Sequence, residues 1–190
     1  MVTIVGLWMP ILVSAVLVFI ASSIIWMALP IHKHDYKDPG ANEDAIIGML
    51  RSASLSPGVY YVPWCHGKTK DPAAMNKMKT GPWALLTVIP SAPNMGKMLG
   101  FWFLHLVIVG VFVAYVTAHA GLNPGAEYLS VFRIAGTSAL LAYAGYALPS
   151  AIWHGMPWSQ IPGRVFDGVV YALLTAGSFA WLWPAAATGG

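Results

Sequence analysis

Apolar positions in this chain come in long unbroken blocks, separated by polar stretches rich in proline, glycine and lysine. The first block, VGLWMPILVSAVLVFIASSIIWMAL, runs from Val5 to Leu29, 25 residues without a charge. About 20 residues suffice to cross a hydrocarbon core, so it predicts a transmembrane helix. A cleaved secretory signal fits less well. The run lacks a basic leading region, exceeds the usual apolar length, and carries Trp26 where a small-residue cleavage site would fall. Pro10 falls in the opening turns, where a missing N–H costs least. Trp8 and Trp26 stand roughly 27 Å apart along a helix, which suits one indole at each interface.

Three further blocks, Met98 to His119, Glu127 to Leu148 and Val165 to Trp183, are 22, 22 and 19 residues long and predict three more spans. The turn GLNPG, from Gly121, makes the second and third spans antiparallel neighbours. The third and fourth are joined by Pro149 to Arg164, whose three prolines and two tryptophans suit a segment lying at the interface. The expected fold is an all-α membrane protein, a bundle of four transmembrane helices. Between its first two spans lies a 68-residue extramembrane loop of mixed α and β character, Pro30 to Lys97. Within that loop, NEDAIIGMLRSA from Asn42 reads as a short amphipathic helix. GVYYVPWC and PWALLTVIP, from Gly58 and Pro82, read as two β-prone runs that can pair as a hairpin. A hairpin alone is marginal in water, so it calls for support from the helix, the membrane face or a partner.

Composition strengthens the membrane reading and excludes others. Of 190 residues, 57% are hydrophobic and only 9% charged, far below the roughly 25% of soluble domains. A single cysteine, Cys65, rules out a disulfide framework. Eight of the ten Lys and Arg residues lie between Pro30 and Lys97, and Arg164 adds one more before the fourth span. The positive-inside rule therefore puts both connections in the cytoplasm and both termini outside. The net charge of +3 follows from this topology and does not call for a nucleic-acid partner.

Small residues recur at intervals of four: Gly168, Ala172, Ala176 and Ala180 along the fourth span, and Gly110, Ala114 and Ala118 along the second. Such tracks let helix backbones approach closely, which matters where lipid supplies no hydrophobic drive for association. They serve either packing within the bundle or a seam for another subunit or a second copy.

Ionisable groups within spans are costly and thus candidates for function. Three qualify: His105, Arg133 and Asp167. His105 and Asp167 fall near the same face of the membrane, so the two can meet. Arg133 lies near the opposite face, where His119, Glu127 or a lipid phosphate would be its company. Imidazole and soft sulfur would suit copper or zinc, and His32, His34, Asp35, Cys65 and His66 are the candidate ligands, although no CxxC or HExxH spacing is present. The alternative is a wet basic collar around His32, Lys33 and His34 facing anionic head groups. His105 is also a candidate axial ligand for haem or chlorophyll; His119, about 21 Å along the same helix, is too far to share its iron. GxSxG, P-loop and GxGxxG patterns are absent, and no internal repeat suggests a transporter.

LPIHKHDY, NEDAIIGML, GPWALLTV, YLSVFRIAGT and FDGVVYALLTAGSFAWLWP together resemble a group of small bacterial inner-membrane proteins known only as hypothetical. The resemblance implies a bacterial source and a self-contained four-helix module, and carries no activity. The expected role is an accessory or scaffolding subunit of a larger membrane complex. The alternative is a metal- or tetrapyrrole-binding membrane protein in redox or metal handling.

Overall fold

The structure, a computed structural model, describes residues 2–68 and 70–186. In chain order its elements are α1 (Trp8–Met27), α2 (Glu43–Ala53), β1 (Gly58–Val62), α3 (Pro72–Thr80), β2 (Ala84–Val88), α4 (Met95–His119), α5 (Tyr128–Ala144), α6 (Ala147–His154) and α7 (Ile161–Trp181). They form two compact units, one of the chain up to Tyr36 together with everything from Asn94 onward, the other Lys37–Pro93.

The first unit is helical. Among the described residues, three stretches are long and apolar enough to cross a membrane: Val5–Met27, Met95–His119, and Tyr128–His154 across α5 and α6. The segment of the fourth expected span forms a 21-residue helix, α7, which is not one of the three. It does not qualify on apolarity, because Arg164 and Asp167 occupy its first two turns. It begins at Ile161, ahead of the expected Val165, and part of the expected interfacial connection is the short helix α6.

Packing closes α1, α4, α5 and α7 into a ring, each touching two neighbours, with the α5–α7 contact the most extensive. Buried positions on α7 include Asp167, Gly168, Tyr171, Ala172, Thr175, Ala176 and Phe179, the 3–4 spacing of one helix face. The core gathers Leu7 and Ile11, Val109 and Val113, Val131 and Ala135, and the wholly buried Phe179. Hydroxyls inside the bundle are satisfied locally. Ser14 donates to the Ile11 carbonyl, Thr117 to Val113 and Thr175 to Tyr171, so they need no water. α4 starts where the Asn94 side chain accepts from the Lys97 N–H at 3.0 Å. The turn after it uses Gly121 and Gly125 at φ near +78° and +79°, a conformation that favours glycine. There the Gly125 N–H donates to the Pro184 carbonyl and the Trp183 indole to the Asn123 carbonyl, tying the chain beyond α7 to the α4–α5 turn.

The second unit contains an antiparallel pair, β1 with β2, in which Tyr60 stands opposite Leu86. The β-prone runs thus form the two strands, and α2 occupies the expected amphipathic segment. The lysine-bearing stretch between the strands is a helix, α3, which sequence reasoning left unassigned. Asp71 caps it by accepting from the Ala73 N–H at 2.9 Å, and Pro72 sits at its first position, a start signal legible in the order Asp-Pro.

Candidate functional site

Buried ionisable groups concentrate where the C-terminal end of α1 meets the N-terminal end of α7. After α1 the chain makes a 3-10 turn at Pro30–His32, which returns His32 against the bundle; α1 itself contributes Trp26. From α7 come Arg164 and Asp167, three residues apart and hence on one side of the helix.

His32 is the centre of the cluster and only 7% exposed. Its Nδ1 lies 2.8 Å from Asp35 Oδ2, and its Nε2 lies 3.1 Å from Asp167. Asp167, 5% exposed, also accepts from the Trp26 indole N–H at 3.1 Å. The Trp26 and His32 rings stack nearly parallel, with centroids 3.9 Å apart. The Arg164 guanidinium lies 4.8 Å from the Trp26 ring centroid and 3.9 Å from Asp35 Oδ2. Gln160 donates to the Asp35 carbonyl, fixing the loop that bears that carboxylate.

Chemically the histidine and the two carboxylates satisfy one another, while among the described residues Arg164 Nε is buried without a hydrogen-bond partner. A neutral imidazole has one N–H and donates to one carboxylate; it donates to both only when both nitrogens carry protons. With Arg164 alongside, that form matches two negative with two positive charges, the condition under which buried charges are tolerated. Both ring nitrogens are engaged, so a metal on either would have to displace a carboxylate. Among the described residues, no group of three or more His, Cys, Asp or Glu side chains is arranged to hold a metal ion.

The structure separates the residues that sequence reasoning grouped. Asp167 is partnered by His32 and Trp26, not by His105. His105 is exposed on α4 and stacks against Trp102 of the same helix, 5.5 Å between centroids. It lies outside the arc of α4 that Leu106, Val109, Gly110, Val113 and Thr117 bury. Of the metal candidates, His32 and Asp35 are joined in the cluster, while His34 is exposed. In the second unit His66 is exposed and the Cys65 thiol donates to the Ala74 carbonyl at 3.3 Å. Arg133 is exposed on α5.

The small-residue tracks lie within the bundle. Gly168, Ala172, Ala176 and Ala180 are buried on α7, and Gly110 and Ala114 on α4, with Ala118 half-buried. A Cβ at Gly168 would come 2.6 Å from Ala144 Cβ, and one at Gly136 3.1 Å from Ala176 Cβ, so α5 and α7 approach at these points. A Cβ at Gly110 would meet Ile11 of α1 at 3.1 Å.

Trp26, Arg164 and Gln160 were not anticipated as members of the cluster. Their signal was weak. Trp26 reads as an interfacial anchor, and Arg164 as a topological charge. Compared with protein-family models, curated proteins and solved structures, the chain finds no match in any of the three. Functional inference therefore rests on its own residues.

Proposed function

We propose that the chain is an integral membrane protein of the bacterial inner membrane, crossing four times, that serves as an accessory or scaffolding subunit of a larger membrane complex. The three apolar stretches support the location. For α7, the support is that its two charges turn into the bundle towards His32, Trp26 and Asp35, leaving apolar residues such as Val169 and Leu173 on its outer side.

The observation that carries the accessory role is α2. It is amphipathic, yet none of its residues is buried: Ile46, Ile47 and Met49 remain exposed. An apolar face of this kind at aqueous level is a docking surface by default. The buried charged cluster, by contrast, engages its histidine and both carboxylates with one another and with Trp26, and is held within the bundle. The lysines flanking α2 and α3 suit an orientation of this unit towards the cytoplasm.

Purification from native membranes in mild detergent tests the reading. The wild type is expected to co-migrate with at least one other membrane subunit. Ile47→Asp combined with Met49→Asp is expected to release that subunit while leaving the melting temperature unchanged. A chain that purifies alone, or a complex indifferent to both substitutions, refutes it.

A further inference from the structure

We propose that α5 and α7 form a site for an acidic glycerophospholipid, whose phosphate is held by Arg133 and Thr137 and one of whose acyl chains lies in the groove between the two helices. This rests on the membrane reading above.

A shallow groove of about 230 Å³ runs between the helices, lined by Gly136, Thr137 and Leu140 of α5 and Val169 and Leu173 of α7, with Arg133 towards the N-terminal end of α5. Its floor exists because Gly136 and the facing alanines bring the backbones together and leave no side chain to fill the cleft. Arg133 and Thr137 are one turn apart, so the guanidinium and the hydroxyl point to a common place. Both are exposed, and among the described residues neither has a hydrogen-bond or ion-pair partner within the chain.

Depth decides the occupant. Arg133 lies five residues beyond Tyr128, the first residue of α5, about 7.5 Å along the axis. A long guanidinium side chain reaches from there to head-group level. An arginine at this depth without an acidic partner is costly, and a phosphate accepting two parallel N–H bonds satisfies it. Leu140 lies seven residues further in, so the apolar part of the groove runs from the charged end toward the middle of the helix. Charge at head-group level and an apolar slot beneath it match a phospholipid in both order and polarity. A shallow slot of this size holds part of a chain, not a folded partner.

The test is lipid retention, read by native mass spectrometry, of protein in a neutral detergent titrated with phosphatidylglycerol or phosphatidylcholine. Wild type is expected to retain one phosphatidylglycerol in preference to phosphatidylcholine. Arg133→Gln weakens retention about fivefold, the worth of one basic residue near an anionic lipid. Arg133→Lys, which keeps the charge and loses the paired bonds, falls between. Leu140→Trp, which fills the slot without changing charge, also weakens it. Excess inorganic phosphate does not compete.

Equal retention of the two lipids, or of phosphatidylglycerol by wild type and Arg133→Gln with unaltered melting, overturns the proposal. Displacement by inorganic phosphate overturns it in favour of a free-anion site. A protein that stays soluble and monodisperse without detergent defeats the membrane reading itself; indifference to lipid in a detergent-requiring protein defeats only this site.

Discussion

Gly168→Ala tests the packing account most directly, because one added carbon atom meets a fixed obstacle. The new Cβ would lie 2.6 Å from Ala144 Cβ and 3.0 Å from its Cα and N, whereas ordinary contact begins at 3.4 Å. Neither side chain has a rotamer through which to escape, so relief requires α5 and α7 to part by about 1 Å. That separation weakens dispersion along the whole seam, including the approach of Gly136 to Ala176. Overpacking of this kind costs about 1–3 kcal/mol, and rigid backbone puts the expectation at about 2–3. Against it stands the gain in helix propensity from glycine to alanine, up to about 1 kcal/mol.

Gly100→Ala isolates the propensity gain, since nothing lies within 4 Å of its Cβ position on α4. Gly110→Ala falls between: its nearest obstacle is Ile11 Cγ2 at 3.1 Å, a side-chain atom that can shift. Thermal unfolding in detergent should therefore rank Gly100→Ala at or above wild type, Gly110→Ala near it, and Gly168→Ala about 3–6 °C below. A Gly168→Ala protein as stable as Gly100→Ala would refute the close approach of α5 and α7.

The charged cluster makes two further predictions. His32→Ala or Asp167→Ala alone should destabilise by about 3–5 kcal/mol, because each leaves a buried partner uncompensated; the double variant should cost well under their sum. Additivity within about 0.5 kcal/mol in chemical denaturation would deny that the two side chains interact. Trp26→Phe keeps an aromatic ring beside His32 and Arg164 but removes the indole donor to Asp167, and should cost about 1.5–3 kcal/mol by the same measurement, as loss of a hydrogen bond to a charged acceptor does. A neutral result would mean that the stacked ring, not the indole N–H, is what Trp26 supplies.

Long apolar blocks are legible because helix length against hydrocarbon thickness is a one-dimensional property, and α1, α4 and the stretch formed by α5 and α6 together are long and apolar enough to meet it. Residues at intervals of four are also legible, since they must share a helix face. Which neighbour that face meets is not. The pairing of His105 with Asp167 was inferred from depth alone, and depth leaves rotation about the helix axis undetermined. His105 turns outward, whereas His32, beyond the apolar block and outside any helix periodicity, is carried back to Asp167 by the turn at Pro30–His32. IHKHDY reads from sequence as a metal-ligand run or a wet collar because nothing local reveals that His32 is buried and His34 is not. The helix α3 was missed for a different reason: its lysines mask a cap-and-proline start that depends on two residues, Asp71 and Pro72.

Whether α7 crosses the bilayer is the point on which topology turns, and the two ends of the helix argue it. Transferring an arginine and an aspartate into a helix centre costs about 2.5–3.5 kcal/mol each on insertion scales, enough to remove α7 from any purely compositional list of spans. Both residues lie in its first two turns, however, and both face groups at the C-terminal end of α1. At its other end, Trp183 and Pro184 bond the turn between α4 and α5. A helix tied at one end to the exit of α1 and at the other to the turn between α4 and α5 covers the same height as its neighbours. Four crossings put the C-terminus opposite Cys65, and three put them on one side. A C-terminal alkaline phosphatase fusion should therefore be active outside the cytoplasm, while in spheroplasts Cys65 should react with an impermeant maleimide only after permeabilisation. An inactive fusion together with protected Cys65 would leave α7 on the cytoplasmic side and reduce the protein to three crossings.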